Sequence, residues 1–508
     1  MAVGHDLSVS SQEDIPVNEK ASPIEKWTTR PEGTIDDVFE SELVADWTAS
    51  EERIARLKVD FSLLPVVALA FFALQIDRGN ISNVLTTTIT TDVGITTNQI
   101  NVGTQLLSAG IVILELPSNI LLQKIGPQKW LSIQIFAWGM VATFQAFITN
   151  YAGYLVTRIL LGLCESGFIP GALYYISTWY KTEETSTRFT YFYIGQMISS
   201  ATSSLMASGI LKLSGKCGLE GWQWIFLIEG LISVLAGILF FLLLPPHVGD
   251  GRPLLSKLTG GRWSYYTDRE AEILRNRVLI DDPKKAKGKI QITKSDITQT
   301  LKSLTLWQHG LITLVSMSAV QGFGQYAPTL IKSFGFGTIK ANAMASVYIW
   351  CAIIWALLMS LLSDKFNRRG PFVLLSITWN AIGYSCLNTL PDISDKWHKY
   401  GTLTAVGVSY ASVHFLNVSW LSVKCKTPQQ RSVAMAFIIM AANLSGISGS
   451  QIFRTEDAPA YKKALVAIAS LSGAAWVLVL ALCLQYLYME RTAQTGSPSA
   501  SDSEEIEQ

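Results

Sequence analysis

Four ionisable residues sit where a lipid bilayer would make them expensive. Asp77 and Arg78 are neighbours in an apolar run that begins near Phe61, and Arg158 and Glu165 stand seven residues apart in a second run from about Tyr151 to Tyr180. These side chains suit reversible binding of charged species. Arg78 offers a forked donor set that matches a carboxylate or another oxyanion. Asp77 and Glu165 are carboxylates whose desolvation favours protonation while nearby guanidiniums favour ionisation, a balance that lets a group load and release a proton. Seven residues is close to two helical turns, so Arg158 and Glu165 point to one side of a helix, with Glu165 about 10 Å deeper. Asp77 and Arg78 fall roughly two thirds of the way across the first apolar helix. All four are expected to converge near mid-membrane, between the first and fourth helices. Four unpaired charges would cost on the order of 10 kcal/mol, comparable to total stability, so two cations are expected to balance two anions. The competing reading is an ion-pair network that only locks the two helices together. Buried ion pairs are rarely justified by stability alone, which favours the functional reading.

The elements that must position these residues are membrane helices. The chain has 508 residues, is 49% hydrophobic and only 16% charged, and has a mean hydropathy of +0.30. A soluble protein would carry charge on about a quarter of its residues. Twelve spans of sufficient length are expected at about 60–86, 99–123, 130–149, 152–180, 187–212 and 222–245, and at about 302–328, 341–363, 371–390, 399–423, 432–453 and 464–488. The fold class is therefore an all-α integral membrane protein. Gly162, Gly167 and Gly171 allow a neighbouring helix to approach the fourth span, and Pro170 is expected to bend it.

Residues 1–58 are polar and acidic and read as a cytoplasmic tail without sustained periodicity, with a short surface helix at Phe39–Trp47. Arg53, Arg56 and Lys58 precede the first span and hold the N-terminus inside. The first bundle is expected over 59–245. A central loop over 246–300 carries Arg262, Arg269, Arg275, Arg277, Lys284, Lys285, Lys287 and Lys289, as a cytoplasmic segment should. The second bundle is expected over 301–489, and a Ser- and Glu-rich cytoplasmic tail over 490–508. No leader is expected, since the first apolar run starts near Phe61.

Composition also excludes function classes. A net charge of +1 leaves no basic footprint for nucleic acid. Cys164, Cys217, Cys351, Cys386, Cys425 and Cys483 show no CxxC or metal spacing and read as buried small hydrophobes. No GxSxG, HExxH or Walker loop is present, so neither an enzyme nor an ATP-driven pump is expected, and no cofactor or metal. The sequons at Asn80, Asn417 and Asn443 fall inside expected spans and read as chance matches.

The second half is poorer in charge. Gln321 and Gln325, one turn apart, and Tyr326 are candidate ligands for cargo, as are His414, Asn417 and Asn443; an interhelical hydrogen bond is the competing reading for each. Asn80, in the same span as Arg78, joins the candidate ligand set. Glu115 and Glu229 read as packing or gating residues. With no basic residue deep in spans seven to eleven, a single free Arg fits a small monoanion better than a dianion.

Six helices, a long loop and six more helices suggest duplication. The second span ends in LLQKIGPQKW and the eighth in LLSDKFNRRGPF, each placing basic residues and Gly after the same apolar LL. This is the parallel repeat of two transporter halves. The chain here resembles the major facilitator superfamily, whose loop motif is met by Asp364, Lys365, Arg368 and Arg369, with Gln123 at the Asp position of the first half. More finely it resembles the anion:cation symporter family and its fungal allantoate-permease-like transporters. That likeness rests on Asp77–Ser82, Glu115–Asn119, the Arg158–Gly171 stretch, Gly221–Gly230 and Phe453–Pro459. The resemblance implies two six-helix bundles working by alternating access, with Arg78 for the substrate anion, Asp77 and Glu165 for protons, Arg158 as their internal partner, and Asp364 and Arg368 in a gating loop. It implies a monomeric importer of a small anion driven by protons, in a fungal plasma membrane. Allantoate, nicotinate, pantothenate, biotin and sulfur oxyanions or sulfonates are the substrate candidates. The rivals are a facilitator or exchanger without proton coupling and a transporter-like nutrient sensor.

Overall fold

The computed structural model describes residues 46–261, 263–281, 294–366, 368–390, 395–410, 412–425 and 427–495. All but Asp46 and Trp47 belong to one compact unit that begins at Thr48. The regular elements among the described residues are helices. The first half holds α1 (Ala49–Val84), α2 (Thr97–Ile125), α3 (Pro127–Phe144), α4 (Tyr151–Glu165), α5 (Phe168–Ser177), α6 (Thr182–Ile210) and α7 (Gly221–Leu243). The central segment carries α8 (Asp268–Asp281) and α9 (Lys294–Leu301). The second half holds α10 (Leu304–Ser333), α11 (Thr338–Lys365), α12 (Gly370–Asn388), α13 (Lys396–Gly407), α14 (Ser412–Lys424), α15 (Pro428–Gly449) and α16 (Lys462–Thr495). Each of the twelve expected spans thus meets a helix or a broken pair, α4 with α5 and α13 with α14.

Six of these spans are long and apolar enough to cross a bilayer by length and composition, and α2 makes a seventh when its two bent segments count as one. Of the helices below that standard, α13 and α14 are too short singly, whereas α6 is rich in hydroxyls. On α6, Ser199 donates to Phe72 O at 2.9 Å and Ser203 accepts from Asn83 at 3.2 Å, so its small polar face is turned to α1.

Two boundaries differ from expectation for a local reason. The first helix starts at Ala49, not near residue 60, because Thr48 and Glu51 form a capping box: the Thr48 hydroxyl accepts from Glu51 N, and the Glu51 carboxylate accepts from Thr48 N at 2.8 Å. Hydropathy cannot see such a polar first turn. The last helix likewise runs on to Thr495, past the expected end at 488. The expected helix at Phe39–Trp47 falls outside the described residues up to 45, and 46–47 are not helical. Arg262 and Lys284–Lys289 also lie outside them. The described part of the central segment is helical rather than a plain loop. Arg277 on α8 is fully buried, and its guanidinium donates to Glu184 Oε1 and Oε2 at 3.1 and 3.0 Å, which ties α8 to the start of α6.

The duplication is visible in which helices touch. In the first half α1 packs on α6 and α7, α2 on α4, and α3 on α7. In the second, α10 packs on α15 and α16, α11 on α13 and α14, and α12 on α16. The halves meet through α6 with α11 and α2 with α15, two contacts that interchange when one half is laid on the other, and through α1 with α10. Lipid offers no hydrophobic drive for these contacts, so close approach at small residues must hold them. A Cβ at Gly162 would stand 2.2 Å from Leu107 O on α2, and one at Gly139 would stand 2.6 Å from Val234 N on α7.

Candidate functional site

The site is built around a broken helix. The fourth span does not bend at Pro170 as the sequence suggests; it stops at Glu165 and restarts at Phe168. Ser166 is extended, and Gly167 takes φ 78°, a left-handed conformation that disfavours a side chain. A Cβ there would also come within 2.6 Å of Ser118 Oγ on α2. Pro170 instead lies in the first turn of α5, where its missing N–H is harmless. The break frees carbonyls, and Gln134 of α3 meets them: its Nε2 donates to Ser166 O at 2.6 Å and Cys164 O at 3.2 Å. Ser166 Oγ donates to Ile111 O at 2.6 Å. Beside it α2 is bent by 52° between Glu115 and Pro117. Broken helices of this kind are tolerated at membrane depth only inside protein or along a water-filled cavity.

The break sets Glu165 at the end of a half-helix, facing α1. Arg78 Nε donates to Glu165 Oε2 at 2.6 Å. The carboxylate is fully buried, whereas the Arg78 side chain keeps 21% of its surface exposed. Only Nε is engaged among the described residues, so the two terminal nitrogens of Arg78 retain their donors. Glu115, at the bend of α2, lies within electrostatic reach of Arg78, and its buried Oε2 has no partner.

Asp77 does not join this pair. It is fully buried and accepts a hydrogen bond at Oδ2 from Ser233 of α7, while Oδ1 has no partner. Arg158 does not meet a carboxylate either. Its guanidinium lies 5.3 Å from the Tyr154 ring centre and 5.7 Å from that of Phe226, with Nε and Nη2 unpartnered. The expected balance of two cations against two anions is therefore corrected to one ion pair, with Asp77 on a hydroxyl and Arg158 on aromatic faces. The reason is helical geometry: successive residues differ by about 100°, so Asp77 and Arg78 cannot point the same way. Asn80 is fully buried, and neither its amide oxygen nor its nitrogen has a partner. Glu229, one turn before Ser233 on α7, is also fully buried with both carboxyl oxygens unpartnered.

The second-half candidates separate into three groups. Gln321 is exposed. Gln325 and Tyr326 donate to Asn101 Oδ1 at 3.1 and 2.7 Å, and Asn101 donates onward to Phe453 O at 2.7 Å. They therefore tie the halves together rather than sit beside Arg78. Asn417 is fully buried and occupied within the second half: it donates to His309 O and Thr313 Oγ1 at 3.0 Å and contacts His309 Nδ1 at 2.6 Å. His414 and Asn443 are half-buried. In the loop after α11, Asp364 pairs with Arg369 at 2.9 Å; Arg368, the other gating-loop candidate, makes no ion pair among the described residues.

Other bonds between the halves gather at the same end as Asn101. Thr86 O accepts from Lys332 Nζ at 2.6 Å, Asn342 Nδ2 donates to Thr86 Oγ1 at 2.8 Å, and Asn98 bonds with Glu456 and Thr455 N, both at 3.1 Å. Gln134, Ser233 and Asn101 escaped the sequence reading. The available signal was a polar residue within, or at the mouth of, an apolar span, which in a membrane marks a structural or functional demand.

Comparison with known proteins agrees with this architecture. The family profile described as Major Facilitator Superfamily matches residues 67–450. An uncharacterised transporter of Saccharomyces cerevisiae is 30% identical over 423 residues, covering 82% of this chain and 77% of its own length. The MFS-type transporter efuF of Hormonema carpetanum is 28% identical over 433 residues, covering 84% and 83%. Among solved structures, a bacterial homologue of the human lysosomal transporter Spinster superposes with a TM-score of 0.60 at 15% identity, covering 89% of this chain and all of that one. A D-xylose–proton symporter gives 0.61 at 15% identity, covering 82% and 97%.

Proposed function

This chain belongs to the Major Facilitator Superfamily, so it is a multi-pass secondary transporter and not an enzyme, and we propose that it imports a small organic anion together with protons. The observation that carries this reading is the Arg78–Glu165 pair, one partner sealed and the other open. An anion binding the free nitrogens of Arg78 draws the guanidinium charge away from Glu165. That carboxylate then stands buried without its counter-charge and takes up a proton. In reverse, protonation of Glu165 releases Arg78 for the anion. Each ligand thus favours the other, and such coupling is reciprocal by linkage. One open guanidinium matches a monocarboxylate in charge and in its two acceptor oxygens. The five stretches that resemble the fungal anion:cation symporters support the same cargo class.

Alternating access supplies the rest. The end holding Asn101, Thr86 and Asn98 is closed by bonds between the halves. With Arg53, Arg56 and Lys58 at the other end, we read that end as cytoplasmic, with both termini inside. The outer end is then the closed one, and the bonds of Asn101 are the closure that must part before cargo enters from outside. Gln321 is retained as a cargo-side candidate. Gln325 and Tyr326 are assigned to the closure, and Asn417 to the second-half interior. A fungal plasma membrane is the proposed location.

Two measurements test the proposal. Deleting the gene and screening sole nitrogen, sulfur and vitamin sources identifies the cargo. Uptake of that labelled cargo is then measured with and without a protonophore, in the parent and in Glu165→Gln. Collapse of the parent's accumulation by the protonophore, and its absence in the variant, is expected. Accumulation that ignores the protonophore would replace symport by facilitated or exchange transport.

A further inference from the structure

A second pair of carboxyls lies on the other side of α1 from the Arg78–Glu165 bond. We propose that Asp77 and Glu229 form one buried proton-holding site, separate from the cargo-binding face of Arg78, in which only one of the two carboxyls is ionised at neutral pH. The proposal deepens the symport reading and rests on it for its role in the cycle.

Geometry brings the two groups together. Ser233, whose hydroxyl bonds to Asp77, follows Glu229 by four residues on α7, so Glu229 is one helical turn away on the same face. Both side chains are fully buried, and Glu229 feels the charge of Asp77. Three of their four oxygens, Asp77 Oδ1 and both of Glu229, have no hydrogen-bond partner, and neither group has an ion pair among the described residues. A buried polar atom without a partner calls for an explanation, and a proton held on one carboxyl, or between two, supplies it.

Charge counting leads to the same place. The charged groups facing this interior are Asp77 and Arg78 from α1, Arg158 and Glu165 from α4, and Glu229 from α7. The neighbouring residues of α3 and α6, Gln134, Trp138, Thr143, Ser199 and Ser203, are neutral. Glu115 of α2 faces Arg78 and is only partly buried. The five interior groups are three acids and two bases, one negative charge too many for a low-dielectric core. Arg78 is committed to Glu165 at 2.6 Å. Arg158 is the one remaining base, and it lies within electrostatic reach of Asp77 and Glu165. One proton therefore neutralises the set, and the Asp77–Glu229 pair is where no guanidinium makes contact.

The role that follows is a proton store that does not compete with cargo. Glu165 exchanges its proton against anion binding at Arg78, whereas the Asp77–Glu229 site makes no contact with Arg78 and responds to cargo through the fields of Glu165 and Arg158 at Asp77. Movement of α1 against α7 during alternating access would open this site to one side of the membrane or the other.

The test uses the proton as its own probe. Full-length protein in lipid nanodiscs is titrated while the infrared carbonyl band of protonated carboxyl groups is recorded, with deuterium exchange to identify it. The parent is expected to show the band at neutral pH. Glu229→Gln and Asp77→Asn are each expected to reduce it below half, because removing either acid removes the surplus charge and the remaining carboxyl ionises against Arg158. If one of the two variants fails to fold, the other carries the test alone. No band in the parent overturns the proposal. So does a band that keeps half its intensity or more in a single variant, for then the two acids hold protons independently. These outcomes do not depend on transport: a protonophore-insensitive parent would remove the symport reading and leave the spectrum unchanged.

Discussion

The two halves share an arrangement of helices but not a chemistry. Every charged side chain with a buried, unpartnered atom among the described residues lies before residue 278: Arg56, Asp77, Glu115, Arg158, Glu165, Glu229 and Arg277. In the second half the buried polar cluster lies nearer the start of α10 and is neutral. His309 bonds to Asn417 and Tyr486, Asn417 also bonds to Thr313, and Trp420 stands edge-on to the His309 ring at 5.1 Å. Burial pulls on these groups as strongly as on those of the first half, but a neutral network needs no proton to satisfy it. Duplication supplied one scaffold twice. Charge was concentrated in one copy, where two ligands can compete for it, and the other copy was left to pack and to move. A transporter needs both, since a site with charge on each side would pay for desolvation twice in every cycle.

The sharpest way to break this comparison is to remove one charge from the first half and one polar hub from the second. Arg78→Ala should lower initial uptake by about 100-fold or more, because Glu165 is left buried without a partner and the anion loses its donors. Arg78→Lys should recover only part of this, since an ammonium cannot reproduce the fork. Asn417→Ala should behave differently. It leaves His309 and Thr313 short of partners and should destabilise the fold by roughly 1–3 kcal/mol, read as a lower melting temperature, with KM unchanged per folded molecule. A large rise in KM in Asn417→Ala would mean that cargo reaches the second-half interior, and the division of labour would fail.

Much of this division was legible in the residues themselves. Twelve apolar runs, a mid-chain polar segment and charges confined to the first half could be read directly, because bilayer thickness and the cost of buried charge act on every residue alike. Direction was not legible. Asp77 and Arg78 are adjacent in sequence, and only the rotation of α1 separates one toward Ser233 and the other toward Glu165. Pro170 was a plausible bend, yet Gly167 is where the helix breaks, since a positive φ beside Ser118 cannot be seen in composition. Gln325 and Asn101 are 224 residues apart, and no local pattern links them. Glu51, ten residues before the apolar run at Phe61, starts the helix early through a cap that hydropathy scores as loop.

The contact between the halves gives a smaller effect. Asn101→Ala removes three hydrogen bonds that join α2 to α10 and to Phe453 O. At about 1 kcal/mol for each bond, less what water restores, the balance between closed and open outer ends should shift by roughly 5- to 20-fold. Labelling of a cysteine placed at Gln321 by an impermeant reagent from outside should rise accordingly. Unchanged labelling would remove Asn101 from the closure.

The smallest effect concerns pH at the opposite end. Burial raises the Glu184 pKa, but hydrogen bonds and charge from Arg277 and then Arg56 outweigh it, so the carboxyl is held below its ordinary value of 4.5. Glu184 lies before the apolar part of α6, outside the expected span. A depressed folded-state pKa contributes stability that is fully present above the unfolded value and is lost as pH falls through the folded one. The melting temperature should therefore hold above pH of about 5 and decline below about 4, with the decline flattened in Glu184→Gln. Because Arg277 fastens α8 to α6 through this carboxylate, that decline should be accompanied by easier proteolysis within α8. An equally steep decline in Glu184→Gln would assign the acid sensitivity to another paired carboxylate, such as Glu270, which the hydrogen bond from Lys58 helps hold below its ordinary value.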